Sequence, residues 1–319
     1  MNVTVLAIDG VFDSGLSGIL DVLQVANGMR GELPVPPPEW KVTTAGFRRR
    51  VHTGLGHVVS TAPISEAEHC DLLIVPALAE RRPDALIEEV SGSGTVAVRA
   101  LLGRALARKT HVASACTGTF LLAEAGVLDG RRATTGWWLA PLFRSRYPAV
   151  ILDQTRMVIT AEGVTTAGAA FGHVDLALAV VRMRSPALAD LVSRYLAVDE
   201  RPSQAVYTIS SALAQSDPTV SAFERWARTH LDEPLSVGRA AQALGVSERT
   251  LQRSVQATLG TSPVRFVQDL RVEQATHLLR TTDLALETIA RRVGYENANT
   301  LRILLRERAG TTAGALRRG

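Results

Sequence analysis

Two constellations in the chain carry side chains able to do chemistry. The first is His111-Val-Ala-Ser-Ala-Cys116-Thr117-Gly118, an apolar run that ends at a cysteine and passes into the helix-forming stretch Thr119–Ala125. This order predicts a tight strand-to-helix turn, a nucleophile elbow, which lifts one side chain above a sheet. Backbone N–H groups at a helix start favour an anion, so the position predicts a stabilised thiolate at Cys116; a packing cysteine is the alternative. His173, directly after Gly172 at the start of a long apolar helix, is placed either to approach that pocket or to pack the helix.

The second constellation is Arg249, Gln252, Arg253 and Gln256, at i, i+3, i+4 and i+7 of one predicted helix. Leu251, Val255 and Leu259 make the opposite, inward stripe, so the Arg/Gln stripe faces outward. It contains no acid beyond the terminal Glu248. Arg and Gln suit guanine and adenine edges in the major groove, which makes double-stranded DNA the expected partner. The unit repeats: Ala241-x-x-x-Gly245 returns as Ala290-x-x-x-Gly294, and Leu251 as Leu301. Each copy reads as a short helix, a Gly-containing turn and a second helix. Ser236 and Ser247 are the predicted N-caps of the first copy. The second copy buries Leu301, Leu304 and Leu305 and presents Asn299, Arg302 and Arg306. A helix over Val264–Leu279 joins the two.

Composition bounds the rest. The 319 residues are 46% hydrophobic and 21% charged, too long for one ordinary domain and too apolar for disorder. Residues 218–319 hold 15 Arg and 10 acids, a net +5, whereas the preceding residues sum to −1. The last third is therefore the part directed at a polyanion. The seven histidines and two cysteines show no metal-ligand spacing, and no cofactor is implied. No apolar run is long enough to cross a bilayer, and MNVTVLAIDG lacks the basic start of a signal peptide. With only Cys70 and Cys116, a reducing, cytoplasmic setting is expected.

Holding these groups in place requires a framework. Val3–Ile8, Trp40–Ala45, Asp71–Pro76 and His111–Ala115 read as short buried strands. They alternate with helices near Leu16–Met29, Arg81–Val90 and Thr95–Arg108. That order predicts an α/β domain, a parallel sheet covered by helices on both faces. Tyr147–Asp153 and Met157–Thr160 predict a hairpin-like strand pair, and Ala169–Arg184 and Ala187–Ala197 two further helices. The expected division is an N-terminal domain over 1–197, a linker over 198–217, and an all-α domain with two helix-turn-helix units over 218–319.

Cys116-Thr117-Gly118, the run Leu121-Leu-Ala-Glu-Ala-Gly-Val-Leu-Asp-Gly130-Arg-Arg-Ala-Thr134, Thr166-Ala-Gly168 ahead of Asp175-Leu-Ala-Leu, and Gly18-x-x-Asp21-Val22 resemble the ThiJ/PfpI superfamily, with its class I glutaminase-like fold. The resemblance spans roughly residues 1–197. Enzymes of that group pair the cysteine with an acid on the first loop and often with a histidine. Here the acid position falls on Gly15 and the histidine position on Gly136. Asp13 can substitute only with a rearranged loop. Without a base or tuned acid the cysteine has no proton-transfer partner, so no catalytic residue is assigned and the chain is read as no enzyme. What remains is an open cradle at Cys116, Thr117 and His173 for a small-molecule effector, or for redox sensing at the cysteine, in a sensory or dimerisation domain.

Leu244-Gly-Val-Ser-Glu-Arg-Thr-Leu-Gln-Arg253, Gly260-Thr-Ser-Pro263, Leu270-Arg-x-Glu273-x-Ala275 and Ile289-Ala-x-x-Val-Gly-Tyr295-Glu296 resemble the AraC/XylS DNA-binding domain over Leu235 to Arg318. The second recognition helix departs from that pattern. Leu301 and Leu305 replace aromatic packing residues, Ile303 stands where arginine is common, and Ala313 where proline is expected. Together the resemblances imply a homodimeric DNA-binding transcription regulator. The alternative is a cysteine-dependent hydrolase or hydratase carrying an accessory DNA-binding domain.

Overall fold

The computed structural model describes residues 1–204, 207, 208, 214, 217–309 and 311–317. The chain divides into two compact units, Met1–Gln204 and Ala205–Gly319. Part of the expected linker, 198–217, lies outside the described residues, but its beginning is not a free tether. Arg201–Gln204 is bonded to the first unit, as detailed below.

The elements of the first unit, in chain order, are β1 (Asn2–Leu6), α1 (Asp13–Met29), β2 (Lys41–Gly46), β3 (Arg50–His52), β4 (Val58–Ser60), β5 (Ala62–Pro63), β6 (Leu72–Val75), α2 (Pro83–Ser91), α3 (Val96–Ala107), β7 (His111–Ala115), α4 (Gly118–Glu124), β8 (Arg132–Ala133), α5 (Ala140–Arg146), β9 (Ile151–Leu152), β10 (Val158–Ala161), β11 (Val164–Ala167), α6 (Gly172–Arg184) and α7 (Pro186–Tyr195). Seven of the strands form one sheet in the order β10-β11-β7-β6-β1-β2-β5. All its pairings are parallel except β10 with β11. Side chains alternate across the pleat, so each central strand feeds two cores. Val3, Val5, Leu72, Ile74, Ala113 and Ala115 pack with α1, α6 and α7. Leu6, Leu73, Val75 and Val112 pack with α2, α3, α4 and α5. This double burial is why the strands read as continuous apolar runs.

Two expectations require correction. Tyr147–Asp153 contributes only Ile151–Leu152, which pairs in parallel with Arg132–Ala133. The antiparallel partner of β10 is Val164–Ala167, across a turn at Glu162 and Gly163 that both take positive φ. Tyr147 is buried instead, stacked edge-on against Phe120 in the α4–α5 core. The predicted helix at Ala169 begins only at Gly172, because Ala169 adopts φ 60°, a left-handed conformation that a helix cannot contain.

The second unit is helical: α8 (Pro218–Thr229), α9 (Val237–Ala243), α10 (Glu248–Leu259), α11 (Pro263–Thr281), α12 (Leu286–Arg292), α13 (Ala298–Ala309) and α14 (Ala313–Leu316). The helix α8 was not anticipated; Asp217 caps it and Val220, Phe223 and Ala227 bury its inner face. Ser236 and Ser247 cap α9 and α10, their hydroxyls accepting from Arg239 N and Thr250 N at 3.2 and 3.1 Å. The core around the second repeat combines Ile289, Ala290, Val293, Leu301 and Leu305 with Val272, Ala275 and Leu279 of α11.

The two repeat glycines occupy equivalent turns and unequal surroundings. Gly245 and Gly294 take φ 66° and 77°. A methyl group on Gly245 meets nothing within 4 Å, whereas one on Gly294 would approach the Leu231 carbonyl oxygen to 2.2 Å. Gly245→Ala is therefore expected to cost only the left-handed penalty of about 1–2 kcal/mol. Gly294→Ala adds an overpacking cost of about 1–3 kcal/mol. Equal chemical-denaturation midpoints for the two variants would contradict this difference.

Candidate functional site

Cys116 lies where β7 ends and α4 begins, beside the change in strand order between β1 and β6, where open α/β sheets place their crevices. Its φ is 54°, the left-handed conformation of an elbow residue, and its N–H donates to Ala167 O at 2.8 Å. Thr117 locks the turn: its hydroxyl accepts from Leu78 N and donates to Leu78 O, both at 2.8 Å. The turn closes only because residue 118 is glycine. A Cβ there would lie 2.4 Å from Pro76 O and 2.9 Å from Val75 O.

The elbow exists, and the thiolate does not. Cys116 is 4% exposed, and burial pushes its thiol up to about 12, against hydrogen bonds from Thr117 that favour the anion. Desolvation of a charged sulfur outweighs a helix of only seven residues. The open cradle is also corrected. A Cβ on Gly15 would meet the Phe12 side chain at 3.3 Å, and one on Gly136 would meet the Trp138 ring at 3.0 Å. Aromatic rings thus stand against both positions at which the resemblance implies an acid and a histidine. Asp13 does not substitute, because its carboxylate accepts from Leu55 N at 3.0 Å, lies 2.8 Å from His57 Nδ1 and is also bonded by Thr53. Although desolvation opposes it, these bonds hold the carboxyl below its usual range.

His173 is 2% exposed, and burial pushes its imidazole down, leaving it neutral. Its Nδ1 lies 3.2 Å from Ala170 O, and its ring stands 5.4 Å from that of the exposed Phe171. Gly18 provides its space: a Cβ there would fall 2.8 Å from His173 Nε2. Cys116, Thr117 and His173 are thus all buried.

The thiol state gives a direct check. Below pH 9 the native protein should resist iodoacetamide at both cysteines, since burial also raises the Cys70 thiol, and should take up two equivalents once unfolded. An unfolded cysteine ionises near 8.5, so the Cys116 contribution to stability is complete below that pH and fades as pH rises toward about 12. Cys116→Ala should flatten that alkaline loss. Rapid alkylation of native Cys116 at pH 7.5 would overturn the assignment.

Sequence reasoning missed the segment that fastens this region. Gln204, inside the expected linker, is fully buried. Its Nε2 donates to Thr135 O at 2.8 Å and to Thr134 Oγ1 at 3.0 Å, and its Oε1 accepts from Trp137 N at 3.2 Å. Thr135 in turn donates its hydroxyl to Cys116 O at 2.8 Å. Arg201 bonds the Asp175 carboxylate and donates to Phe171 O at 3.0 Å. The last residues of the first unit therefore grip both the Thr134–Trp137 loop and the loop before His173. Local sequence carried no signal, because a glutamine in a polar stretch has no periodic partner.

On the second unit, Arg249, Gln252, Arg253 and Gln256 are all exposed on α10, opposite the buried Leu251, Val255 and Leu259. Asn299, Arg302 and Arg306 are exposed on α13, over the buried Leu301, Leu304 and Leu305. Among the described residues no carboxylate pairs with Arg249, Arg253 or Arg306. Arg302 approaches Glu287 at 3.5 Å, an exposed pair that a polyanion can displace at little cost. Ile303, 49% exposed, lies between them as an apolar interruption that α10 lacks. Among the described residues, no helix is long and apolar enough to cross a membrane, and no group of three His, Cys, Asp or Glu side chains is placed to hold a metal.

Comparison with known proteins matches both units. The DJ-1/PfpI family model matches residues 1–183, and a helix-turn-helix domain model matches residues 240–319. The HTH-type transcriptional regulator CdhR of Pseudomonas aeruginosa is 32% identical over 186 residues, 57% of this chain and 55% of that one. GbdR of the same species, also an HTH-type transcriptional regulator, is 25% identical over 190 residues, 58% and 51% of the two chains. The chain thus spans about half the length of these two relatives. GlxA of Rhizobium meliloti, likewise an HTH-type transcriptional regulator, is 25% identical over 258 residues, 80% and 77% of the two chains. Among solved structures, an AraC family transcriptional regulator from Pseudomonas putida gives a TM-score of 0.51 at 20% identity, over 61% of this chain and 98% of that one. Drosophila melanogaster DJ-1beta gives 0.50 at 17%, over 62% and 98%. At such identities the likeness concerns the fold of the first unit.

Proposed function

Because this chain belongs to the DJ-1/PfpI family and closes with a helix-turn-helix domain, we propose that it is a sequence-specific, DNA-binding transcription regulator of AraC type. The observation that carries this reading is the exposed stripe Arg249, Gln252, Arg253 and Gln256 on a capped second helix, whose arginines are paired with no carboxylate among the described residues. Such a helix presents its first turns to base edges in the major groove, while phosphate contacts fix its register. Asn299, Arg302 and Arg306 form the second contact, weighted toward phosphate because Ile303 interrupts it.

The first unit acts, in this reading, as a dimerising sensor with Cys116, Thr117 and His173 at the centre of the effector-responsive region. Those three residues are buried, so an effector binds by shifting the population toward a state in which they are uncovered. Gln204 supplies the outlet, since Thr135 links it to the Cys116 carbonyl. The alternative, a cysteine-dependent hydrolase or hydratase, has less support, because a protonated thiol lacking an acid or histidine partner is a poor nucleophile. As a homodimer working on cytoplasmic DNA, the full chain should bind more tightly than the fragment 218–319, the second half-site contact being effectively intramolecular.

Selection of bound duplexes from a random library, followed by anisotropy titration, tests the proposal. A recovered consensus bound at least about a thousandfold tighter than random duplex supports it. Uniform binding across sequences, or turnover of amide, isonitrile or glyoxal substrates that disappears in Cys116→Ser, would reject it.

A further inference from the structure

Arg271 lies in the middle of α11 and is only 8% exposed, although arginine is among the residues least often buried. Its surroundings come from both helix-turn-helix repeats. Nη2 donates to the carbonyl of Glu233, in the segment that leads into α9, at 2.5 Å. The guanidinium carbon lies 5.1 Å from the centre of the Tyr295 ring, in the turn between α12 and α13. Gly294, the positive-φ residue of that turn, is packed so closely that a Cβ would approach Nη2 to 2.5 Å and Leu231 O to 2.2 Å. One buried cation therefore touches the entrance of the first repeat and the turn of the second. The Glu233 carboxylate does not neutralise it, being paired with Arg239 at 2.9 Å.

We propose that Arg271 is a positioning residue that sets the orientation of the second recognition helix, α13, relative to the first, α10. This rests on the DNA-binding reading and deepens it. Other arginines support each half separately: Arg308 of α13 bonds Gln268 and Asp269 of α11, and Arg228 of α8 pairs with Glu273 of α11. Arg271 alone among these three contacts both repeats. A hydrogen bond and a ring face fix direction as well as distance. An apolar side chain of the same volume would fill the space but let the turn slide. Among the described residues no carboxylate pairs with Arg271, and burying such a charge is a poor way to gain stability, since well-packed apolar replacements of buried ions are often neutral or stabilising. The gain is geometric: two helices that read one duplex must meet successive major-groove segments together, about 10–10.5 base pairs apart.

The test uses the full chain carrying spin labels at Ala257→Cys and Glu307→Cys, exposed positions on α10 and α13, while the native cysteines are buried. Pulsed dipolar spectroscopy should give one narrow distance distribution for the parent protein. Arg271→Met should broaden it at least about twofold without lowering the thermal midpoint. On the duplex that the parent protein selects from a random library, affinity should fall about tenfold, while affinity for random duplex stays the same, because phosphate contacts do not require a fixed angle. Partial unfolding would lower both affinities alike and leave their ratio unmoved. Should Arg271→Met not fold, Tyr295→Leu keeps the guanidinium but removes the ring face and the phenol hydroxyl beside it, and should broaden the distribution and lower the ratio in the same direction. A distribution as narrow as the parent's, or an unchanged specific-to-random ratio, overturns the proposal. A parent protein that selects no duplex refutes the DNA-binding reading itself, and the positioning of a recognition helix falls with it.

Discussion

Arg253→Ala is expected to weaken binding to the selected duplex by about 1–3 kcal/mol, which is roughly 5–150-fold, while changing affinity for random duplex far less. Arg253 stands one turn after Arg249 on the exposed face of α10, beside Gln252, and its backbone is held by a helix capped at Ser247 and packed through Leu251 and Val255. A guanidinium so placed offers two parallel donors to one guanine edge, and its removal leaves those acceptors without partners. The loss should also be base-specific: the variant should tolerate substitutions at one position of the duplex that the parent rejects. Anisotropy titrations at fixed salt, on duplexes mutated one position at a time, measure this. Equal losses on selected and random duplexes, with a salt dependence shallower by about one phosphate, would show that Arg253 contacts only the backbone.

Gln204→Ala is expected to destabilise the first unit by about 2–3 kcal/mol, far more than truncation of an ordinary linker residue. The amide satisfies Thr135 O, Thr134 Oγ1 and Trp137 N in a region closed to solvent. Each buried group left without a partner costs about 1–3 kcal/mol. Gly168 packs so tightly on Gln204 that a Cβ there would reach its Nε2 at 2.3 Å, so the site is shaped to this side chain. Denaturation followed by the fluorescence of Trp137 and Trp138 reads the first unit, and amide exchange at Trp137 should accelerate. A shift below 0.5 kcal/mol, within the ordinary range for surface substitutions, with unchanged exchange would mean that the Arg201–Gln204 segment merely rests on the surface. In the regulator reading the same variant should also blunt any effector response.

Much of this architecture is local in origin and so was legible. A 3.6-residue period depends on neighbours three and four positions away, which is why α9 to α13 and the outward Arg/Gln stripe followed from the order of residues. A glycine at the turn of each repeat follows from the positive φ that the turn imposes. The buried strands β1, β6 and β7 follow from continuous apolar runs between turn residues, and the elbow at Cys116 from a strand that runs into Thr117 and Gly118. The paired strand β11 escaped notice because Val164–Ala167, with two threonines and only four residues, carries too short a pattern to separate from a loop.

The chemical state of the site lay beyond that reach. Whether Cys116 is a thiolate depends on how much water reaches it, and its burial comes from α4, the Thr117–Leu78 bonds and the Thr135 bond to its carbonyl, which join different parts of the chain. Gln204 and Thr135 meet across 69 positions, and Arg271 and Glu233 across 38. No periodicity encodes such pairings. Residue order along a single helix or strand was enough for β1, β6, β7 and α9 to α13 and for the faces they bury, because those follow from neighbours two to four positions away. Which polar groups lose water and which become joined is a matter of long-range packing, because desolvation and distant hydrogen bonds arise where segments far apart in the chain meet.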